Sequence, residues 1–119
     1  MNEQKDFAMI GDIRIADSVI ATIAAIAISE IDGVSLAASS ATTDLRELIG
    51  KSKSGRGIKV QFSEEGITLD IQLQVRYGKI VSDVAKHVQD TVVNAVESMT
   101  SLHVSGVNVS IVGISPEAK

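Results

Sequence analysis

The sequence predicts an α+β domain, a two-layer sandwich with a mixed sheet and two main helices on one face, in the order β-α-β-(short α)-β-β-α-β. Three observations predict it. Residues 58–77 alternate apolar with polar across Glu64-Glu65-Gly66, the pattern of an antiparallel hairpin with one buried and one wet face. Residues 80–102 carry apolar side chains at helical spacing. The 119 residues are 45% hydrophobic but only 3% aromatic, so one core of Ile, Val, Leu and Ala is expected.

The elements follow in order. Residues 9–16 alternate, with Ile13 and Ile15 on one side and Asp12 and Arg14 on the other, which predicts a short first strand. Asp17 or Ser18 suits the N-cap of a helix, and Gly33 suits its termination. Val19, Ile20, Ile23, Ile26, Ala27 and Ile31 share the face expected to pack on the sheet. Residues 33–38 read as a brief second strand and residues 43–49 as a short helix capped at Thr42 or Thr43. After the hairpin, Gly78 punctuates. The second main helix then has a stripe of Ile80, Val84, Val88, Val92, Ala95, Met99 and Leu102. Residues 104–114 alternate as a last strand, and Pro116 ends the order. The expected domain is 9–114, with a flexible extension at 1–8 and a tail at 115–119.

Composition excludes several functions. The chain has no cysteine, hence no disulfide, thiolate metal site or cysteine nucleophile. A net charge of −4 gives no general attraction to nucleic acid or anionic lipid. The first residues carry no signal-peptide pattern. The longest apolar run, residues 19–28, is about half of the roughly 20 residues a membrane span needs. The expected compartment is the cytoplasm.

Two stretches draw the eye as sites. Residues 50–57 read Gly-Lys-Ser-Lys-Ser-Gly-Arg-Gly and begin like the end of a phosphate-binding P-loop. That motif needs a glycine at position 45, where Leu45 stands, and a strand before it and a helix after it; the expected order here is reversed. The charge is real, however. Lys51, Lys53, Arg56 and Lys59 form the densest basic cluster of an acidic chain, a candidate partner contact for a nucleic acid or an anionic surface. Stacking aromatics for single-stranded nucleic acid are missing beside it, since Phe62 falls on the buried side of its strand. A solvated connection explains the same residues. The second stretch is the side of the first helix that carries Ser18, Ala21, Ala25 and Ser29. A small, weakly polar face lets another backbone approach closely, which fits either self-association or a tight intramolecular contact.

No catalytic set emerges. Asp83, His87 and Asp90 could share a helix face, but that face reads as solvated rather than metal-binding. No Gly-x-Ser-x-Gly elbow accompanies the serines. Catalytic residues, cofactor and metal are therefore all expected to be absent.

Several ordered segments carry a family resemblance: residues 11–20 (Gly-Asp-Ile-Arg-Ile-Ala-Asp-Ser-Val-Ile), Ile31-Asp32-Gly33-Val34, residues 56–60, Leu69-Asp70-Ile71, Val75-Arg76-Tyr77-Gly78-Lys79-Ile80, residues 84–89 and residues 107–114. Together they resemble the alkaline-shock-protein or Gls-type envelope stress response family of Gram-positive bacteria. The resemblance implies a small non-enzymatic α+β protein of the cytoplasm, active in cell-envelope homeostasis. It also implies self-assembly and attachment to the membrane through an anchored protein partner, with no small-molecule substrate.

Overall fold

The computed structural model describes residues 7–36 and 57–116. The chain runs β1 (Phe7–Ile10), β2 (Ile13–Ala16), α1 (Asp17–Ser29), β3 (Val34–Leu36), β4 (Ile58–Ser63), β5 (Gly66–Arg76), α2 (Val81–Thr100) and β6 (Val104–Ser115). This is the expected α+β arrangement, with one addition. The first strand is in fact a hairpin, because Gly11 at φ +57° turns the chain and pairs Ile10 with Ile13. β1 begins at Phe7, inside the stretch read as an extension, and β6 reaches Ser115, one residue into the tail. The expected short helix at 43–49 lies outside the described residues.

β5 is the spine of the main sheet. On one side β3 and β4 lie end to end, both antiparallel to it, with Leu36 opposite Leu73 and Ile58 opposite Ile71. On the other side β6 runs parallel along nearly its whole length, from Ile67 opposite Val104 to Arg76 opposite Ser115. The parallel pairing follows from α2, which supplies the crossover that two parallel neighbours require. Period-two alternation sends Ile67, Leu69, Ile71, Leu73 and Val75 to the helices, and all are buried. Thr68, Asp70, Gln72 and Gln74 line the opposite face, where Asn108 Nδ2 donates to Asp70 Oδ1 at 2.8 Å.

Both helices cover the apolar face and pack on each other, α1 also against β3 and β4, α2 against β6. In α2 the buried positions are Val88, Val92, Val96 and Thr100. The expected stripe drifted onto Ala95 and Met99, but Met99 is exposed, and Ile80 lies outside the helix and is exposed as well. The one hydroxyl buried among the described residues is satisfied: Thr100 donates to the Val96 carbonyl at 2.7 Å and accepts from the Leu102 N–H at 3.1 Å. Ser101, at φ 66°, closes the helix in the left-handed conformation, its N–H donating to the Glu97 carbonyl.

α1 corrects the sequence reading. Its buried residues are Ile20, Ala24, Ala25, Ala27 and Ile28, whereas Val19 and Ile26 stand 46% and 44% exposed. Ala25 is only 5% exposed and Ala21 is partly buried against the core. Of the supposed outward face, Ser18 is half-buried and Ser29 alone is exposed, its hydroxyl donating to the Ile26 carbonyl. The small side chains serve the intramolecular alternative. The helix has to fit against a second helix and a sheet at once, and alanines permit that close approach where Val or Ile would not.

A pinned, exposed corner as the candidate functional site

At the far end of β5 two separate stretches of chain meet. The Arg76 N–H donates to the Gly33 carbonyl at 2.8 Å, and the Tyr77 N–H donates to the Ser115 carbonyl at 2.8 Å. Gly78 at φ +103° then reverses the chain, and Lys79 N–H donates back to the Arg76 carbonyl at 3.2 Å. The Ile80 carbonyl accepts the N–H groups of Asp83 and Val84, each at 3.1 Å, and so starts α2. The turn is thereby tied to β3, β6 and α2.

Side chains tie it again. Asp32 accepts from Arg76 Nη2 at 3.1 and 3.2 Å and from Lys79 Nζ at 3.0 Å. The lysine stem lies across Gly33, where a Cβ would come within 2.7 Å of Lys79 Cε. The Lys79 hydrogen bond, followed by the charges of Arg76 and Lys79, holds the Asp32 carboxyl below the usual carboxylate range. Because the folded pKa is the lower one, the contribution to stability is present above the unfolded value of about 3.8. It is lost as pH falls from there through the folded value. Asp32→Asn is therefore expected to lose stability against wild type at about pH 6 and to lose less at about pH 3, below the unfolded value. Urea titrations at both pH values check this, and the gap at the higher pH should narrow in high salt, since the pair is exposed.

On this corner stand side chains that have no business in water. Tyr77 is 73% exposed and Ile80 64%, with Val81 and Ile114 also exposed. Sequence periodicity assigned Tyr77 to the buried face of its strand and Ile80 to the helix stripe. Both assignments fail because β5 stops at Arg76 and α2 starts only at Val81. The signal that could have found the corner is the Gly78 between them, which breaks both periods at once.

The basic cluster falls mostly elsewhere. Lys51, Lys53 and Arg56 lie outside the described residues. Lys59 is exposed on β4, opposite Asp70, on the polar face of the sheet and away from the corner. It also borders an open groove of about 960 Å³ between β1 and β4, lined by Phe7, Met9, Val60 and Phe62 among others. Among the described residues no cluster of His, Asp and Glu could hold a metal, Asp83, His87 and Asp90 included. No described helix is long and apolar enough to cross a membrane.

The model of the alkaline shock protein 23 family, described as having a cell envelope-related function, matches residues 5–116, and the chain belongs to that family. It is 38% identical over 110 residues to the uncharacterised protein YqhY of Bacillus subtilis, covering 92% of this chain and 82% of that one. It is 34% identical to the uncharacterised protein YloU of the same organism, covering 87% and 88%. A stress response regulator Gls24 homologue of Streptococcus pyogenes is 28% identical over 116 residues, covering 95% of this chain and 65% of that protein. No solved structure matches. The family is thus of the envelope-related, stress-response type.

Proposed function

We propose that this protein is a non-enzymatic scaffold of the cytoplasm that serves cell-envelope homeostasis by self-association and by holding protein partners, a membrane-anchored one among them. The observation that carries the reading is the corner. Tyr77 and Ile80 are exposed on a turn whose backbone is hydrogen-bonded to β3, β6 and α2 and whose flank is ion-paired through Asp32. An aromatic anchor on a backbone already held in place spares the cost of ordering that backbone on binding, which helps a few residues dominate an interface. The family and the Gls24 homologue support the envelope setting.

The test is affinity capture from cells of the source organism with the wild-type protein and with the double variant Tyr77→Ser/Ile80→Ser. Both positions are exposed, so the variant should keep its circular dichroism and melting temperature. It should lose at least about tenfold in retained partner, the scale expected when an interface anchor is truncated. An unchanged set of captured proteins would remove the corner from the reading.

A further inference from the structure

We infer that the outer edge of β6 is a self-pairing surface, on which a second copy of this chain adds its own β6 antiparallel about a two-fold axis near Val109. This rests on the self-association reading above and gives it an interface.

The phase of the ladder decides which groups face outward. Gln72 and Arg76 donate to the carbonyls of Gly57 and Gly33, so the even-numbered residues of β5 bond toward β4 and β3. Ile67 donates to the His103 carbonyl, so the odd-numbered ones bond toward β6. With Leu69 opposite Val107, Ile71 opposite Val109 and Leu73 opposite Ile111, those bonds go to the residues flanking each partner. Gly106, Asn108 and Ser110 are used up inward. The N–H and C=O groups of Val107, Val109 and Ile111 point away from the sheet. Gln89 Nε2 reaches the Val107 carbonyl at 2.9 Å; the outward groups of Val109 and Ile111 have no partner among the described residues.

Soluble proteins blunt such an edge with charge, proline or a bulge. β6 has neither a charged residue nor a proline in its twelve positions. Its two irregularities fall between Val104 and Gly106 and between Ile111 and Gly113, which leaves residues 107–111 regular. β4, β5 and β2 all carry charge.

Self-complementarity selects a second copy as the occupant. With Val109 facing the second copy's Val109, Val107 faces Ile111 and Ile111 faces Val107, all on the helix side. On the other side Asn108 faces Ser110. Asn108 spends its Nδ2 on Asp70 and keeps its Oδ1 to accept from that serine hydroxyl. Gln89 yields the Val107 carbonyl to the second copy's Ile111 N–H. Two chains of net charge −4 repel each other, so their contact belongs where the surface carries no charge. The opposite edge of the sheet does not compete on equal terms, because β1 stands across the groove from β4.

The chain has no cysteine, so one introduced thiol reports on one place. In wild type, sedimentation at about 100 μM should show a dimer, a concentration at which weak homo-oligomers persist. Val109→Pro removes only an outward N–H, and Ile111→Lys places a charge on the edge. Both should keep native circular dichroism and raise the dimer dissociation constant at least tenfold. Val109→Cys should form a disulfide-linked dimer on mild oxidation, since the Cα separation of a directly opposed antiparallel pair, about 5.5 Å, suits a disulfide. Asp90→Cys, exposed on α2, should not. Wild-type association that survives both blocking variants, without a Val109→Cys cross-link, overturns the edge and leaves self-association standing. A wild-type monomer overturns both.

Discussion

Replacing Ala25 by glutamate is expected to unfold this protein, not to separate copies of it. Ala25 is 5% exposed and belongs to the same buried cluster as Ile20, Ala24 and Ile28 of α1, Val88, Val92 and Val96 of α2, and the inward residues of β5. A carboxylate there has to be desolvated with no cation to meet it among those neighbours, and its longer stem also overfills a site sized for a methyl group. The two effects together cost about 4 kcal/mol or more, a large part of the roughly 5–15 kcal/mol that holds a domain together. A urea titration should show either no native baseline or a midpoint far below wild type. Ala25→Ser, which keeps the size, should lose only about 1 kcal/mol. An Ala25→Glu protein that is as stable as wild type would mean that α1 presents its alanines to solvent after all.

That expectation reverses what the sequence invites, and the reason is instructive. α1 reads Asp-Ser-Val-Ile-Ala-Thr-Ile-Ala-Ala-Ile-Ala-Ile-Ser, with no charged residue after the first position to mark the outside. Bulk was the only guide: it placed Ile20 and Ala27 correctly in the core and Ile23 and Ile31 against it, but it also favoured Val19 and Ile26, which are exposed. Packing obeys distance instead: a helix wedged between another helix and a sheet turns its small residues inward. The β4–β5 hairpin was legible because strict alternation and Glu64-Glu65-Gly66 say the same thing twice. The existence of α2 was legible for a similar reason, though the expected stripe left its true face at the three-residue step from Val92 to Ala95, where the buried positions continue in steps of four to Val96 and Thr100. The β1–β2 turn hid inside eight residues that also alternate as one strand.

The corner was legible only as spelling. Asp32 and Arg76 are 44 positions apart in sequence, and nothing in either stretch announces the other. Both stretches nonetheless belong to the segments on which the family resemblance rests. The structure gives the physical reason for both spellings. Asp32 supplies the carboxylate, Gly33 leaves room for the Lys79 stem, Arg76 and Lys79 supply the cations, and Gly78 supplies the turn. What these residues hold in place is Tyr77 and Ile80, which periodicity had assigned to the interior. Tyr77 and Ile80 break the pattern of their elements, and departures of that kind are expected at functional or strained sites.

Gly66→Ala is expected to be the most damaging of the glycine substitutions that change so little mass. Gly66 sits at φ +133°, a region where a side chain is strained whatever its surroundings. Its surroundings are also closed. A Cβ there would stand 2.6 Å from the His103 carbonyl oxygen, a backbone atom that already accepts the Ile67 N–H at 2.9 Å. Relief requires moving either the β4–β5 turn, held by the Ser63 hydroxyl to the Gly66 carbonyl, or the start of β6. Either movement opens the parallel pairing at Ile67 and Val104, both of which are buried in the core. A loss of about 3 kcal/mol is expected from strain and displacement together. Gly11→Ala provides the scale. At φ +57° it pays the left-handed cost of about 1–2 kcal/mol but meets nothing within 4 Å. Parallel urea titrations decide between the two contributions. If the two variants lose the same stability, the His103 carbonyl exerts no constraint and conformation alone explains both. If Gly66→Ala loses clearly more, the join between the hairpin turn and β6 is a fixed point of the fold.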